Sequence, residues 1–163
     1  MVRSVAEDPS EQRVLDDIAE YGWHCVHILE DDEGAGYSFT IGLWATYGHP
    51  ELIVFGLPAQ AAHTIVSTVA RAAAEGEPLD PDRPTDALLH DYSCWFAPVP
   101  RAQYHDHVGY ARWYYQGDEF PLRQIVWPSR AGVFPWDERA SAEFRAAQPL
   151  IGETPAAALI AAP

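Results

Sequence analysis

The residues best suited to chemistry are His49 and Glu51, which flank Pro50 in the run YSFTIGLWATYGHPELIVFGLP. Pro50 biases the residue before it toward extended backbone, so the His49 imidazole projects in a fixed direction. An imidazole held this way can act as a general base or a ligand. Glu51 lies two residues on and therefore on the same face of a strand, where it could orient the ring. His49 and Glu51 are the candidate catalytic pair. The structural alternative is a His that merely starts a strand and a Glu that caps a backbone group.

Around this pair the sequence is aromatic. Trp44, Tyr47, Trp127 and Trp136 fall at the ends of predicted elements, where planar ligands are commonly held, and Thr40 lies on the strand leading in. These five are the candidate cofactor-binding residues, with a flavin-type ligand as the most concrete form. No metal-ligand set is assigned. His105 and His107 would share a face on a strand, but on a helix they point about 200° apart. His24 and His27 fall on opposite faces of their strand, and His63 and His90 have no evident partner. The acidic stretch 30–36 lacks the ligand spacing of a calcium loop and reads as a solvated turn.

Other chemistries are excluded by what the chain lacks. It has no Lys, all ten basic residues being Arg, so Schiff-base chemistry and Lys-containing phosphate loops are out. Neither a GxSxG elbow nor a GxGxxG loop occurs. Cys25 and Cys94 do not form a CxxC pair and are bracketed by apolar or aromatic residues, as suits inert buried thiols.

These residues must be positioned by a fold of moderate size. At 163 residues with 48% hydrophobic content, the chain is long enough for one domain with a real core. We expect that domain to cover residues 1–151, followed by a flexible tail, 152–163. A net charge of −14 repels phosphate backbones and anionic membranes, which argues against nucleic-acid and membrane partners. The N-terminus lacks the apolar core of a signal peptide, which points to the cytoplasm.

Element by element, Asp8-Pro9-Ser10-Glu11 reads as a helix start and Gly22 as its stop. Strands are expected at 23–29, 37–43, 51–55, 91–99 and 122–127, and helices at 59–75, 101–116 and 138–147. A seven-residue loop, 44–50, is expected between the second and third strands. Strands and helices do not alternate as in a doubly wound fold, so the expected class is α+β: a curled, mostly antiparallel sheet, split-barrel-like, flanked by three or four helices.

The run YSFTIGLWATYGHPELIVFGLP, with RQIVWPSRAGVFPW and the later QPLIGE, resembles the bacterial family called domain of unknown function 4262. The likeness spans residues 22–152. Phe39-Thr40 stands where the family has Tyr-Thr, and Ser129 where it usually has Asp. If that Asp carried a catalytic or metal role, this chain would lack it. The resemblance implies kinship and leaves activity open. A looser likeness, to split-barrel flavin-binding reductases, implies a flavin phosphate held by Arg112, Arg123 or Arg130 reaching in from elsewhere.

Together these readings predict a small-molecule or cofactor-binding protein with its pocket at residues 44–51 and a flavin-type redox role. One rival is a non-catalytic interaction protein, supported by the acidity and the many aromatic residues, which leaves room for a homodimer. Another is a metal-dependent hydrolase using His49, His105 and His107.

Overall fold

The computed structural model describes residues 1–160. Six strands form one sheet: β1 (His24–Ile28), β2 (Tyr37–Ile41), β3 (Glu51–Phe55), β4 (Thr85–Leu89), β5 (Tyr92–Pro98) and β6 (Leu122–Val126), in the order β1-β2-β3-β6-β5-β4. Every neighbouring pair is antiparallel except β3–β6, which is parallel. The chain is thus a mixed α+β domain, as expected. The sheet is open and is not closed into a barrel. Its edges, β1 and β4, are separated by four strands and do not pair.

Helix α1 (Pro9–Tyr21) begins where the sequence places it. The Asp8 side chain accepts from the Glu11 N–H, and Gly22, at φ 92°, returns its own N–H to the Ile18 carbonyl. Both ends of the helix are thereby satisfied. Helix α3 (Ala59–Ala74) buries Ala62, Ile65, Val66, Val69 and Ala70 along one stripe. Between β2 and β3 lies α2 (Leu43–Tyr47), and after β5 come α4 (Tyr104–His107), α5 (Gly109–Tyr115), α6 (Ala142–Ala147) and α7 (Ala156–Ile160).

The sheet separates two apolar layers. On one face Phe39, Ile41, Ile53 and Phe55 pack with Val14 of α1 and with Tyr104, Val108, Ala111 and Tyr114 of the α4–α5 region. On the other, Leu52, Val54, Phe96 and Ile125 pack against α3. All five residues of β3 are buried, because the strand is covered on both sides, as its unbroken apolar run predicts.

Three expectations need correction. The loop expected at 44–50 is largely α2. The continuous helix expected at 101–116 is broken at Val108 (φ −126°, ψ 50°) into α4 and α5; burying both Tyr104 and Tyr114 outweighs helical continuity there. Strand β4 was not anticipated, since TDALL carries only a weak alternation and gains its strand geometry from pairing with β5. The described part of the expected tail, residues 152–160, contacts the domain. The Glu153 N–H donates to the Pro98 carbonyl at 2.8 Å, and Ala158 is buried. Residues 161–163 of that tail lie outside the described residues.

Candidate functional site

Glu51 opens β3 with its side chain turned toward the start of α2. That helix needs an acceptor, because the first N–H groups of any helix have no partner within it. Its N-cap is Gly42, at φ 111°, which offers no side chain. Glu51 supplies the acceptor instead. Its Oε2 accepts from the Gly42 and Trp44 N–H groups at 2.9 and 3.2 Å, and its Oε1 accepts from Leu43 N–H at 3.2 Å and Thr40 Oγ1 at 2.7 Å. The Tyr115 hydroxyl donates to Oε2 as well.

Thr40 Oγ1 also accepts from the Leu52 N–H at 2.9 Å, and Tyr115 Oη from the Ala45 N–H at 3.2 Å, while each donates its own proton to Glu51. Five donors and no acceptor surround a group with no solvent exposure. Burial pushes its pKa upward, and the bonds from Tyr115, Thr40, Trp44 and Gly42 oppose that shift. A carboxylate, which only accepts, can take all five of these donors.

His49 is also buried, and no hydrogen bond joins it to Glu51. Its Nδ1–H donates to the Pro50 carbonyl at 2.8 Å, which leaves Nε2 as a bare acceptor, and that buried nitrogen has no partner among the described residues. Burial lowers the His49 pKa; the backbone at Pro50 and Leu79 opposes this, and the Arg123 charge adds to the fall. His49 and Glu51 thus neighbour each other in sequence but are engaged separately.

The proposed cofactor-binding residues are dispersed. Thr40 is buried beneath Glu51. Trp44 is exposed, and Tyr47 lies against the end of α1, its hydroxyl 3.4 Å from the Tyr21 carbonyl. Trp127 donates its indole N–H to the Phe55 carbonyl at 2.9 Å and packs edge-on against Phe144. Trp136 stacks on Phe134 at 5.0 Å. These aromatics tie segments together and do not converge on one pocket. His105 pairs with exposed Asp106, whereas His107 donates to the Gln103 carbonyl and packs edge-on against Tyr37 and Phe55.

Ser129 closes its own turn, its Oγ accepting from the Val133 N–H at 3.3 Å. The acidic turn is closed the same way, with Asp31 Oδ1 accepting from the Glu33 and Gly34 N–H groups. Cys25 and Cys94 are free thiols, each pushed up to about 12 by burial.

Concave surface occurs elsewhere. A groove of about 700 Å³ runs between the β1–β2 turn and the start of α3, floored by Tyr37 and Ser38 and walled by Leu57, Pro58 and Ala146–Ala147. A smaller hollow of about 340 Å³ sits at the β1 edge, lined by Asp17, Trp23, Cys25, His27 and His63 among others. His27 borders both. Sequence reasoning missed this histidine's surroundings: it compared His27 with His24, on the opposite face, and not with Cys25, two residues away on the same face. The alternation C-V-H was the available signal.

No helix among the described residues is long and apolar enough to cross a membrane. No curated protein and no solved structure matches the chain. A sequence profile described as a domain of unknown function (DUF4262) matches residues 17–141, from within α1 to the turn before α6, which takes in the whole sheet and the Glu51 ring of donors. On that match the chain belongs to the DUF4262 family.

Proposed function

We propose that this protein binds a small molecule, and that it does so in the groove beside β2 and not at residues 44–51. The carrying observation is the groove itself. Its volume, about 700 Å³, lies in the range typical of small-ligand sites, and it combines an apolar wall with a few polar groups, the His27 ring and the Ser38 hydroxyl among them. In residues 44–51, by contrast, Thr46 and Tyr47 bond to the end of α1 and its following glycine, and Glu51 is enclosed by its ring of donors.

The lining favours a neutral or cationic ligand over a flavin nucleotide. Among the described residues no Arg lines the groove, and Glu30, Asp31, Asp32 and Glu33 place carboxylates along its lip. Arg112 pairs with Asp118, and Arg123 with Asp82, which leaves both away from a phosphate in this groove. A redox role with a flavin is accordingly the weaker form of the reading.

The test is a thermal-shift and NMR titration with a set of neutral and cationic heteroaromatic fragments, with flavin mononucleotide as one arm. Binding should perturb Tyr37, Ser38 and Ala147 and should vanish in Ala146→Trp, which fills the groove. Fragments that bind Ala146→Trp as well as the native chain, or no binding at all, would remove the reading.

A second reading is a protein-interaction role, favoured by one observation. β1 is an edge strand whose end exposes Ile28 (40%) and Leu29 (82%), an arrangement open to strand addition. Sedimentation of the native chain against Leu29→Lys tests it: a dimer lost in the variant supports the reading, and a monomer throughout removes self-association.

A further inference from the structure

Three side chains that chain order keeps apart meet at the rim of the sheet. Cys25 and His27 project from the same face of β1, two residues apart. His63 comes from the first turns of α3, which crosses that face. One donor atom from each, the Cys25 Sγ and a ring nitrogen of each His, lies within 4.8 Å of the other two. They line the hollow of about 340 Å³, so the space between them opens to solvent.

We propose that Cys25, His27 and His63 form a binding site for a zinc-class divalent cation, with the fourth coordination position open to the hollow. One thiolate and two imidazoles are the donor set of a borderline-soft ion and not of calcium or magnesium, which take oxygen ligands. Three protein ligands plus an open position is the arrangement of zinc sites that keep water or a substrate atom on the metal.

The supporting groups are already in place. β1 and β2 pair so that His27 lies opposite Ser38, and the Ser38 Oγ meets His27 Nδ1 at 2.7 Å. With that nitrogen engaged, Nε2 is the one left for a metal, the usual division of labour in a ligating His. His63 stacks on Trp23 at 5.6 Å with the rings 24° apart, which limits its rotation to the neighbourhood of the site. Asp17, held by His24 Nδ1 at 2.6 Å, adds a carboxylate to the lining of the hollow.

A tetrahedral ion needs its donors about 3.5 Å apart, from Zn–S of about 2.3 Å and Zn–N of about 2.0 Å. The three donors already lie within 4.8 Å of one another, and His27 and His63 are both exposed, so small side-chain rotations can bring them to that spacing without moving the sheet. On binding, the Cys25 thiol releases its proton to solvent as the sulfur–metal bond forms.

The test uses the full chain, stripped with chelator and titrated with Co²⁺. One equivalent should produce a thiolate-to-cobalt charge-transfer band and the intense visible bands of four-coordinate cobalt, both erased by Zn²⁺. Cys25→Ser should lose the charge-transfer band. His63→Ala, a change at an exposed helix position, should abolish stoichiometric binding, and the Zn²⁺-induced rise in Tm should disappear with it. Ser38→Ala should weaken binding about tenfold, as loss of a supporting hydrogen bond does, and His105→Ala should change nothing. Absence of the band at one equivalent, its survival in His63→Ala, or its dependence on Cys94 in place of Cys25 would overturn the site. None of these readouts depends on whether the larger groove binds an organic ligand.

Discussion

Tyr115, near the end of α5, donates its phenolic proton to the buried carboxylate of Glu51 on β3. The contact joins positions 64 residues apart and completes the ring of donors that starts helix α2. Glu51 therefore acts as the N-terminal acceptor of a helix to which it does not belong. A helix of five residues with glycine at both ends has little stability of its own, so its conformation is set by this carboxylate.

Removing the carboxylate should accordingly cost more than removing any one donor. Glu51→Ala leaves three backbone N–H groups and two hydroxyls without their acceptor, and we expect a loss of at least about 3 kcal/mol, since each orphaned buried group costs about 1–3 kcal/mol. Tyr115→Phe removes one donor and should cost about 1–3 kcal/mol. Urea unfolding of the two variants checks the order; equal losses would show that the carboxylate does not organise the helix.

His49 makes stability depend on acid. Its pKa in the folded chain lies below the ordinary value of 6.5, so between the folded value and 6.5 the unfolded chain binds more protons. Stability from this group is full above about pH 6.5 and falls as pH drops through that window. The urea midpoint of the native protein should therefore fall on going from about pH 7 to about pH 5.5, and His49→Gln should flatten part of that fall. A variant with the same pH slope as the native chain would exclude His49 as the cause.

Gly56 tests how the groove wall is held. It adopts φ +80°, and a Cβ there would stand 2.4 Å from the Ala147 carbonyl oxygen. Gly56→Ala should push the wall at Ala147 away and destabilise the fold by more than the ~1 kcal/mol that a left-handed alanine costs by itself. Chemical-shift changes confined to residues beside 56, with none at Ala146 or Ala147, would contradict this close packing.

Two buried glutamines fasten the C-terminal segment to β6. Gln148 accepts from the Trp127 N–H at 3.0 Å and donates to its carbonyl at 2.7 Å. Gln124 accepts from the Ile151 and Gly152 N–H groups and donates to the Pro149 carbonyl. Gln124→Leu should leave both N–H groups unpaired, cost about 2–4 kcal/mol, and expose the chain after Gln148 to proteolysis. Unchanged cleavage would mean that the segment is held mainly by its apolar contacts.

The sequence revealed what local periodicity encodes and missed what distant partners decide. Asp8, Pro9 and Gly22 mark α1 by themselves, and ELIVF announces a doubly covered strand. Nothing near Leu43 signals that a carboxylate eight residues later will start a helix there. The break at Val108 arises because Tyr104 and Tyr114 are both drawn to the core, a demand made by the sheet and not by the local residues. At the candidate site, Cys25 and His27 were legible as a same-face pair, but His63 joins them only because α3 lies across that face, and no spacing rule foretells that crossing. Gln124 and Gln148 carry no local signal of burial, since a glutamine's burial depends on backbone groups that arrive from elsewhere.

The link between Glu51 and Tyr115 also bears on the order in which the molecule assembles. Helix α2 precedes its last hydrogen-bond donor by most of the length of the sheet, and β3 waits for β6, its parallel neighbour, across the same stretch of chain. Long-range closures of this kind slow folding relative to local ones. On a ribosome, residues 43–47 would leave the exit tunnel well before Tyr115 exists to complete their anchor. The earliest helical-looking segment after β2 should thus be among the last to become protected, and pulse-labelled amide exchange at Gly42 and Trp44 during refolding would reveal it: protection there as early as in α3 would mean that the anchor is not needed to start the turn.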